Sequence, residues 1–323
     1  AAAAVAAPHD FCKRVRAAID VVSRTLALYS ARGDRAGGAG GAGGAGGAGG
    51  AGGDDGASGA GGAGGAGSRD PPRIGLSFNG GKDCTVVLHL LLAALADSGD
   101  NDSSAGSIPA AASSSSSSSS LRQLVLPFYF STDDVFPEET SFVQSTTAEY
   151  FLEGRHAAAD DTSGGTTNNT NTNTATGTAA NTQLLRMHNC SNKEGVSRLV
   201  ETHGIEAILM GTRSTDPDGR WLSGVFWPSS KGWPPFMRVN PCLDWSYNDV
   251  WVFLRFFAIP YCALYDEGYT SIGSRSTSRP NPQLWVPSVP GGGGGDGEVG
   301  DDSPTYLPAY RLADGSLERA GRG

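Results

Sequence analysis

Seven residues, Ser77-Phe78-Asn79-Gly80-Gly81-Lys82-Asp83, have the types and spacing to handle an anion. Two adjacent glycines let the backbone turn tightly and approach a ligand with no Cβ in the way. A helix beginning just after them would offer unpaired N–H groups to negative charge. Ser77 and Asn79 add neutral hydrogen-bond donors. This is the chemistry of a phosphate cradle, although the G-x-x-x-x-G-K-[ST] spacing of a Walker loop is absent. The same residues also read as an ordinary tight βα turn, with Asp83 complementing the helix dipole from the first turn. Turn chemistry alone leaves both readings open. No Ser-His-Asp or Cys-His arrangement accompanies the segment. The histidines His9, His89, His156, His188 and His203 share no motif or i,i+4 pairing, so no metal cluster is expected from them.

The elements that must position this segment follow from periodicity. Phe11 to Tyr29 reads as a helix with Val15, Ile19, Val22 and Leu26 on one face. Ile74 to Phe78 reads as a strand and Lys82 to Leu95 as the helix after the glycines. Leu124 to Phe130 is a strand, followed by a helix that starts at Phe136-Pro137-Glu138 and runs to Leu152. Leu184 to Met187 is strand-like, Lys193 to Thr202 helical, and Ala207 to Met210 a buried strand. The β-α-β-α-β-α-β order predicts an α/β domain, a single mostly parallel twisted sheet with helices on both faces. Ligands in such sheets bind outside the carboxyl ends of the strands. Ser77 to Asp83, Ser131 to Asp134 and Gly211 to Asp216 all fall at those ends. Ser246 to Phe257, with Tyr247, Val250, Trp251 and Leu254 at helical spacing, reads as a core helix, and Trp251 is given no functional role.

Composition narrows the partners. The 323 residues carry 24 Lys+Arg against 33 Asp+Glu, a net −9, with no basic run, so nucleic acid is not expected as a ligand. The longest apolar run, Val86 to Ala96, is too short to span a bilayer, so no membrane partner is expected. Five scattered cysteines, an odd number with no C-x-x-C pair, suggest reduced thiols and a cytoplasmic setting. The chain starts at Ala1, which leaves organellar targeting by an upstream segment open. The 47 glycines concentrate in low-complexity blocks, and four such blocks are expected to be flexible linkers or surface insertions: 36–67, 99–120, 155–182 and 288–304. The GGA block lacks the proline of a collagen triplet. What remains, about 224 residues, suits one domain with one core. Its expected organisation is an amino-terminal helix within 8–35, a linker at 36–67 and the body of the domain at 68–323, interrupted by the other three blocks.

The S-x-N-G-G-K-D segment after a strand resembles the PP-loop of the adenine nucleotide alpha hydrolase-like enzymes, which cleave ATP between its α- and β-phosphates. Longer segments resemble one family within that group, the eukaryotic-type FAD synthases (FMN adenylyltransferases). They are Gly211-Thr212-Arg213-Ser214-Thr215-Asp216-Pro217, Lys231-Gly232-Trp233-Pro234-Pro235-Phe236-Met237-Arg238-Val239-Asn240-Pro241 and Asp244-Trp245-Ser246-Tyr247-Asn248-Asp249-Val250-Trp251. Gly268-Tyr269-Thr270-Ser271-Ile272-Gly273 and the terminal Glu318-Arg319-Ala320-Gly321-Arg322 continue the likeness over most of the chain outside the four blocks.

The resemblance implies transfer of AMP from MgATP to the phosphate of FMN, giving FAD and pyrophosphate. It implies that Ser77, Asn79, Gly80, Gly81, Lys82 and Asp83 hold the ATP phosphates, with Asp83 orienting the loop or supporting Mg²⁺. Thr212 and the strand ends at Leu76 and Phe130 would offer backbone groups to adenine and ribose. Asp216 matches a family acid near the reacting groups, where it would support metal or orient Arg213; locally it also reads as an Asp-Pro turn residue. Arg238 would neutralise the FMN phosphate with a permanent, fork-shaped charge. Lys231, Gly232, Trp233 and Pro234 match the flavin motif, with Trp233 packing on the isoalloxazine or serving as a core aromatic. Members of the family often carry Asp where this chain has Ser230. Arg319 and Arg322, three apart and on one face of a helical tail, would close over the triphosphate. The metal ligands are unassigned, and whether FAD is released or handed to apoflavoproteins is left open.

Two other functions compete. Asp134-Val135-Phe136-Pro137-Glu138 is similar to a segment of the phosphoadenylyl-sulfate reductases, whose chemistry needs a nucleophilic cysteine in a mobile tail; no cysteine follows Cys262. A non-catalytic flavin-binding paralogue would keep the fold but not the acids and arginines named above.

Overall fold

The computed structural model describes residues 9–30, 73–99, 124–151, 184–287 and 305–323. The blocks at 36–67, 155–182 and 288–304, and all but the first residue of 99–120, lie outside the described residues.

A six-stranded sheet organises the molecule, in the order β3-β2-β1-β4-β6-β5. Its strands are β1 (Ile74–Ser77), β2 (Val125–Ser131), β3 (Leu185–His188), β4 (Ala207–Leu209), β5 (Phe226–Pro228) and β6 (Met237–Val239). All neighbours are parallel except β5 and β6, which form an antiparallel hairpin. The helices are α1 (His9–Ser30), α2 (Lys82–Gly99), α3 (Pro137–Tyr150), α4 (Asn192–His203) and α5 (Tyr247–Phe256). The chain steps outward from β1 through β2 to β3 and then returns to place β4 on the other side of β1. That reversal opens a crevice between the carboxyl ends of β1 and β4.

Alternation along the strands builds two cores. Ile74 and Leu76 of β1, with Ala207 and Leu209 of β4, pack on the face that buries Phe11, Ala18, Val22 and Leu26 of α1 and Val86, Val87, Leu90 and Leu91 of α2. Val143 of α3 and Val250, Trp251 and Leu254 of α5 join the same core. Phe128, Ile208 and Phe236 point to the opposite face, against Val196 and Leu199 of α4. Gly75 is needed on that face, since a Cβ there would stand 2.9 Å from the Phe128 ring.

The helix ends follow local chemistry. Ser191 and Glu194 form a capping box at the start of α4, and Gly204 closes it in the left-handed region (φ 65°). Ser246 and Asp249 do the same for α5. Asp249 also pairs with Arg14 at 2.8 Å, tying α1 to α5. The expected elements are present, with ends shifted by a few residues. The β5–β6 hairpin was not expected, because three-residue strands containing Pro228 and Arg238 carry almost no alternation. All five cysteines are free thiols. Among the described residues, no helix is long and apolar enough to cross a membrane.

Candidate active site

A cavity of about 250 Å³ occupies the crevice at the carboxyl ends of β1 and β4. The β1–α2 loop supplies Ser77, Asn79, Gly81, Lys82 and Asp83, and the segment after β4 supplies Gly211, Thr212 and Asp216. The chain terminus adds Glu318 and Arg319. Three distant segments thus converge where the strand order reverses.

The loop is shaped by its own amides. Gly80 takes φ 80°, and a Cβ there would lie 2.8 Å from Val143 of α3. Asn79 Oδ1 accepts from Gly81 N (3.1 Å) and from Cys84 Sγ (3.0 Å), which turns the Nδ2 donors of Asn79 outward. Lys82 N donates to the Tyr265 hydroxyl at 2.9 Å. The N–H groups of Gly81 and Lys82 are therefore occupied internally, a narrower offer to an anion than the bare loop sequence suggests. Burial pushes the Cys84 thiol up to about 12, so it serves as a donor and not as a nucleophile.

The cavity wall is itself part of a buried ion cluster centred on Arg213. Lys82 Nζ contacts Asp83 Oδ2 at 2.9 Å and also bonds Glu318 Oε1. Arg213 Nη2 reaches Glu318 Oε2 at 2.6 Å and Asp216 Oδ1 at 3.2 Å, and Arg213 Nε lies 3.0 Å from Asp83 Oδ1. The Arg213 backbone N–H donates to Asp216 Oδ2 at 2.8 Å. Lys82 is 2% exposed and Arg213 1%. Burial works against the Lys82 ammonium, but Asp83 and Glu318 outweigh it and hold its pKa above the usual lysine value. For Arg213, burial is again opposed by Asp83 and Glu318, with a net rise. Burial raises Asp216 above the usual carboxylate range, while the Arg213 amide and guanidinium pull it back. Two cations and three carboxylates leave this wall with an excess of negative charge.

The terminal arginines are held by loops. Arg322 pairs with Ser278 as an isolated antiparallel bridge, and its guanidinium lies over Gly273, where a Cβ would be 2.0 Å away. Arg279 N donates to Gly321 O (2.8 Å) and Gly323 N to Thr277 O (2.9 Å). The tail is a 3-10 turn at Gly315–Leu317 followed by turns, and not the helix that would have set both arginines on one face. A tail this short gains more by bonding its backbone to the 277–279 loop than to itself.

Glu139, in the first turn of α3, stands close enough to Arg322 to feel its charge. Burial pushes the Glu139 carboxyl from 4.5 up to about 7, with Arg322 acting in the opposite direction. The native state then binds more protons than the unfolded chain between those values. Stability should fall as pH rises from about 4.5 to about 7 and level off above. Replacing Glu139 by Gln is expected to stabilise by about 3 kcal/mol at pH 8 and not at all below pH 4.5. Melting curves of both proteins across this range check it; a difference independent of pH would contradict the assignment.

The residues matched to the flavin motif form a separate group on the β5–β6 hairpin and do not line the cavity. Arg238 Nη1 donates to Pro228 O at 2.9 Å and Nη2 lies 3.5 Å from Ser230 Oγ, so neither partner neutralises it. Its guanidinium sits 5.9 Å from the Trp233 ring centre and 5.3 Å from that of Phe236. Trp233 is half-buried against the second core, Lys231 is exposed, and Gly232 adopts φ 85°.

Several sequence expectations are placed differently. Arg213, expected beside the flavin, is sealed among carboxylates and touches the site only through them. The Leu76 side chain is buried in β1 and the Phe130 ring packs on Gly195 of α4, which leaves the expected role of their backbone groups unchanged. His188, given no role, lies with Nδ1 3.2 Å from Ser131 Oγ and Nε2 3.2 Å from Asp133 Oδ1. Glu318 stood in a quoted motif without a role, yet it links both buried cations; only its place beside Arg319 hinted at this.

Residues 73–280 match the family model described as phosphoadenosine phosphosulfate reductase domain. A Schizosaccharomyces pombe protein named "Probable FAD synthase" is 34% identical over 254 residues, 78% of this chain and 72% of that one. A Caenorhabditis elegans protein of the same name is 33% identical over 77% of this chain but only 36% of its own length. The chain thus spans about a third of the nematode relative. The crystal structure of Candida glabrata FMN adenylyltransferase in complex with FAD and inorganic pyrophosphate superposes with a TM-score of 0.61 at 21% identity, covering 98% of this chain and 93% of that one. The fold and loop define a phosphoadenosine phosphosulfate reductase-type domain, and within that class the chain belongs to the FAD synthase family.

Proposed function

We propose that this chain is an FMN adenylyltransferase that transfers AMP from ATP to FMN, forming FAD and pyrophosphate. The observation that carries the reading is the convergence of the β1–α2 loop, the Gly211–Asp216 segment and Arg319 on one cavity, while β6, next to β4 in the sheet, carries the unneutralised Arg238. Its named relatives, FAD synthases and FMN adenylyltransferases, support it.

An oxygen of the FMN phosphate attacks the α-phosphorus of ATP in line. The new P–O bond forms as the bond to the bridging α–β oxygen breaks, and that electron pair leaves with pyrophosphate. Such a transfer needs positioning and charge neutralisation and no protein nucleophile. Asn79 Nδ2 and Ser77 orient the phosphates, Thr212 lies along the nucleoside side, and Arg319 and Arg322 stabilise charge moving onto the leaving group. Arg238 holds the FMN phosphate beside Trp233. Asp83 and Asp216 present hard oxygens to the cavity, while no group of three or more His, Cys, Asp or Glu forms a metal cage among the described residues. That donor set suits Mg²⁺, which is usually held through one or two carboxylates plus substrate phosphates and waters. Held by Asp83 and Asp216, the ion would supply positive charge that offsets the negative charge of the phosphates. Transfer of the product to apoflavoproteins belongs to this proposal as a later step.

Incubation of the purified chain with FMN, ATP and Mg²⁺ should yield FAD and pyrophosphate by chromatography. Absence of FAD, or FAD formation unaffected by Asp83→Ala, would refute the reading. Arg238→Met should raise KM for FMN about 10- to 100-fold, the loss of charge-assisted hydrogen bonds worth about 1.5–3 kcal/mol, with kcat within about threefold. Steady-state kinetics with an unchanged KM would remove Arg238 from the FMN site.

A further inference from the structure

Glu318 is the residue whose placement the reaction scheme leaves unexplained. It lies five residues before the last described residue, in a stretch where a charged side chain ordinarily points to water, yet it is 8% exposed. Its two carboxylate oxygens divide between two cations: Oε1 takes Lys82 Nζ from the β1–α2 loop, and Oε2 takes Arg213 Nη2 at 2.6 Å from the segment after β4. Its backbone carbonyl accepts from Thr270 Oγ1 at 2.6 Å. Asn281 Nδ2 in turn reaches both Thr270 Oγ1 (2.9 Å) and Leu317 O (2.8 Å). Thr270 and Asn281 are themselves fully buried, so this is a built socket.

The next residue along the chain, Arg319, lines the cavity. An inward Glu318 therefore fixes which way the chain faces when it presents Arg319, and then Arg322 three residues later. Lys82 and Arg213 already have Asp83, and Arg213 has Asp216, so neutralising the two cations does not require a third acid. What the third acid adds is a connection between elements 236 and 105 residues apart.

We propose that Glu318 is a positioning residue, a charged pin that seats between Lys82 and Arg213 and thereby registers the terminal arginine pair over the loop that holds the triphosphate. The proposal rests on the adenylyltransferase reading for its effect on turnover, but its structural content can be tested separately. Glu318 lines the cavity, but its carboxylate oxygens are already committed to Lys82 and Arg213, so its effect on the reaction runs through Arg319 and Arg322.

The test is a double-mutant cycle with a physical readout beside it. Glu318→Gln keeps the side-chain shape and removes the charge. Glu318→Asp keeps a buried charge, and so the fold, but withdraws the carboxylate by one methylene. For each, kcat, KM for ATP, FMN affinity by flavin fluorescence quenching and the melting temperature are measured in two backgrounds, wild type and Arg319→Ala/Arg322→Ala. In the wild-type background both variants should bind FMN with unchanged affinity and lose about 100-fold in kcat. In the arginine-free background the same substitution should cost less than about threefold, because groups acting through one another are not additive. A full loss in both backgrounds, or wild-type kcat for Glu318→Asp and Glu318→Gln, would overturn the proposal.

Limited trypsin digestion gives the second readout and needs no turnover. Release of the last four residues, Ala320 to Gly323, should be about tenfold faster in either Glu318 variant than in wild type, followed by mass spectrometry. Equal release rates would overturn the pin even if the chain makes FAD. A wild-type chain that makes no FAD while its tail is released faster on Glu318 substitution would refute the adenylyltransferase reading and leave the pin standing.

Discussion

Arg213→Met should destabilise the protein by about 3–5 kcal/mol, the usual cost of removing one partner from a buried ion pair, and abolish FAD formation. The wild-type guanidinium is 1% exposed and serves Asp83, Asp216 and Glu318 at once. Methionine keeps an unbranched apolar stem but leaves three carboxylates facing Lys82 alone. Burial already holds Asp216 above the usual carboxylate range, with the Arg213 amide and guanidinium as the counterweights; losing the guanidinium drives it further up. The stability loss should therefore be greatest at neutral pH and shrink in acid. Denaturant unfolding at pH 5 and pH 7.5 measures this. A variant as stable as wild type at both, or one that still turns over, would show that the cluster is not what shapes the cavity wall.

Deleting Arg319 to Gly323 should cost about 10³-fold or more in kcat, because the proposed function gives both arginines the task of stabilising developing negative charge and one such donor alone is worth about 10²–10³. The fold should survive. Glu318 would remain on Lys82 and Arg213, the Asn281 bond to Leu317 would persist, and Tyr247 would keep its 2.8 Å bond to Ala309 O. The truncation removes the Ser278–Arg322 bridge, the backbone bonds of Ala320, Gly321, Arg322 and Gly323, and the Arg322 charge near Glu139. The truncated chain should bind FMN as well as wild type does and melt within a few degrees of it. Wild-type kcat in the truncated protein would exclude the arginines from the reaction.

The two experiments separate kinds of contribution. Arg213 sits behind the wall, so its loss reaches activity through the shape and charge of the site. Arg319 lines the cavity, so its loss reaches activity directly.

The sequence by itself determined what depends on near neighbours. The tight turn at Gly80 and Gly81, the capping boxes at Ser191 and Ser246, the order of the main strands and helices, and the two-residue alternation that sorts β1 and β4 between two cores are all short-range properties. The crevice could be located from that order alone, because the parallel crossovers bring the carboxyl ends of the strands together. Motif likeness extended this to the arginines and the flavin hairpin residues. Tertiary structure alone decided which charges meet. That Lys82 turns inward to Glu318, that Arg213 is sealed among acids, and that the tail pairs with Ser278 in place of coiling into a helix all depend on contacts across tens to hundreds of residues. Charge pairing has no periodicity to read. A lysine beside an aspartate looks alike whether water or a buried glutamate 236 residues away completes its shell, and only the packed fold selects between them.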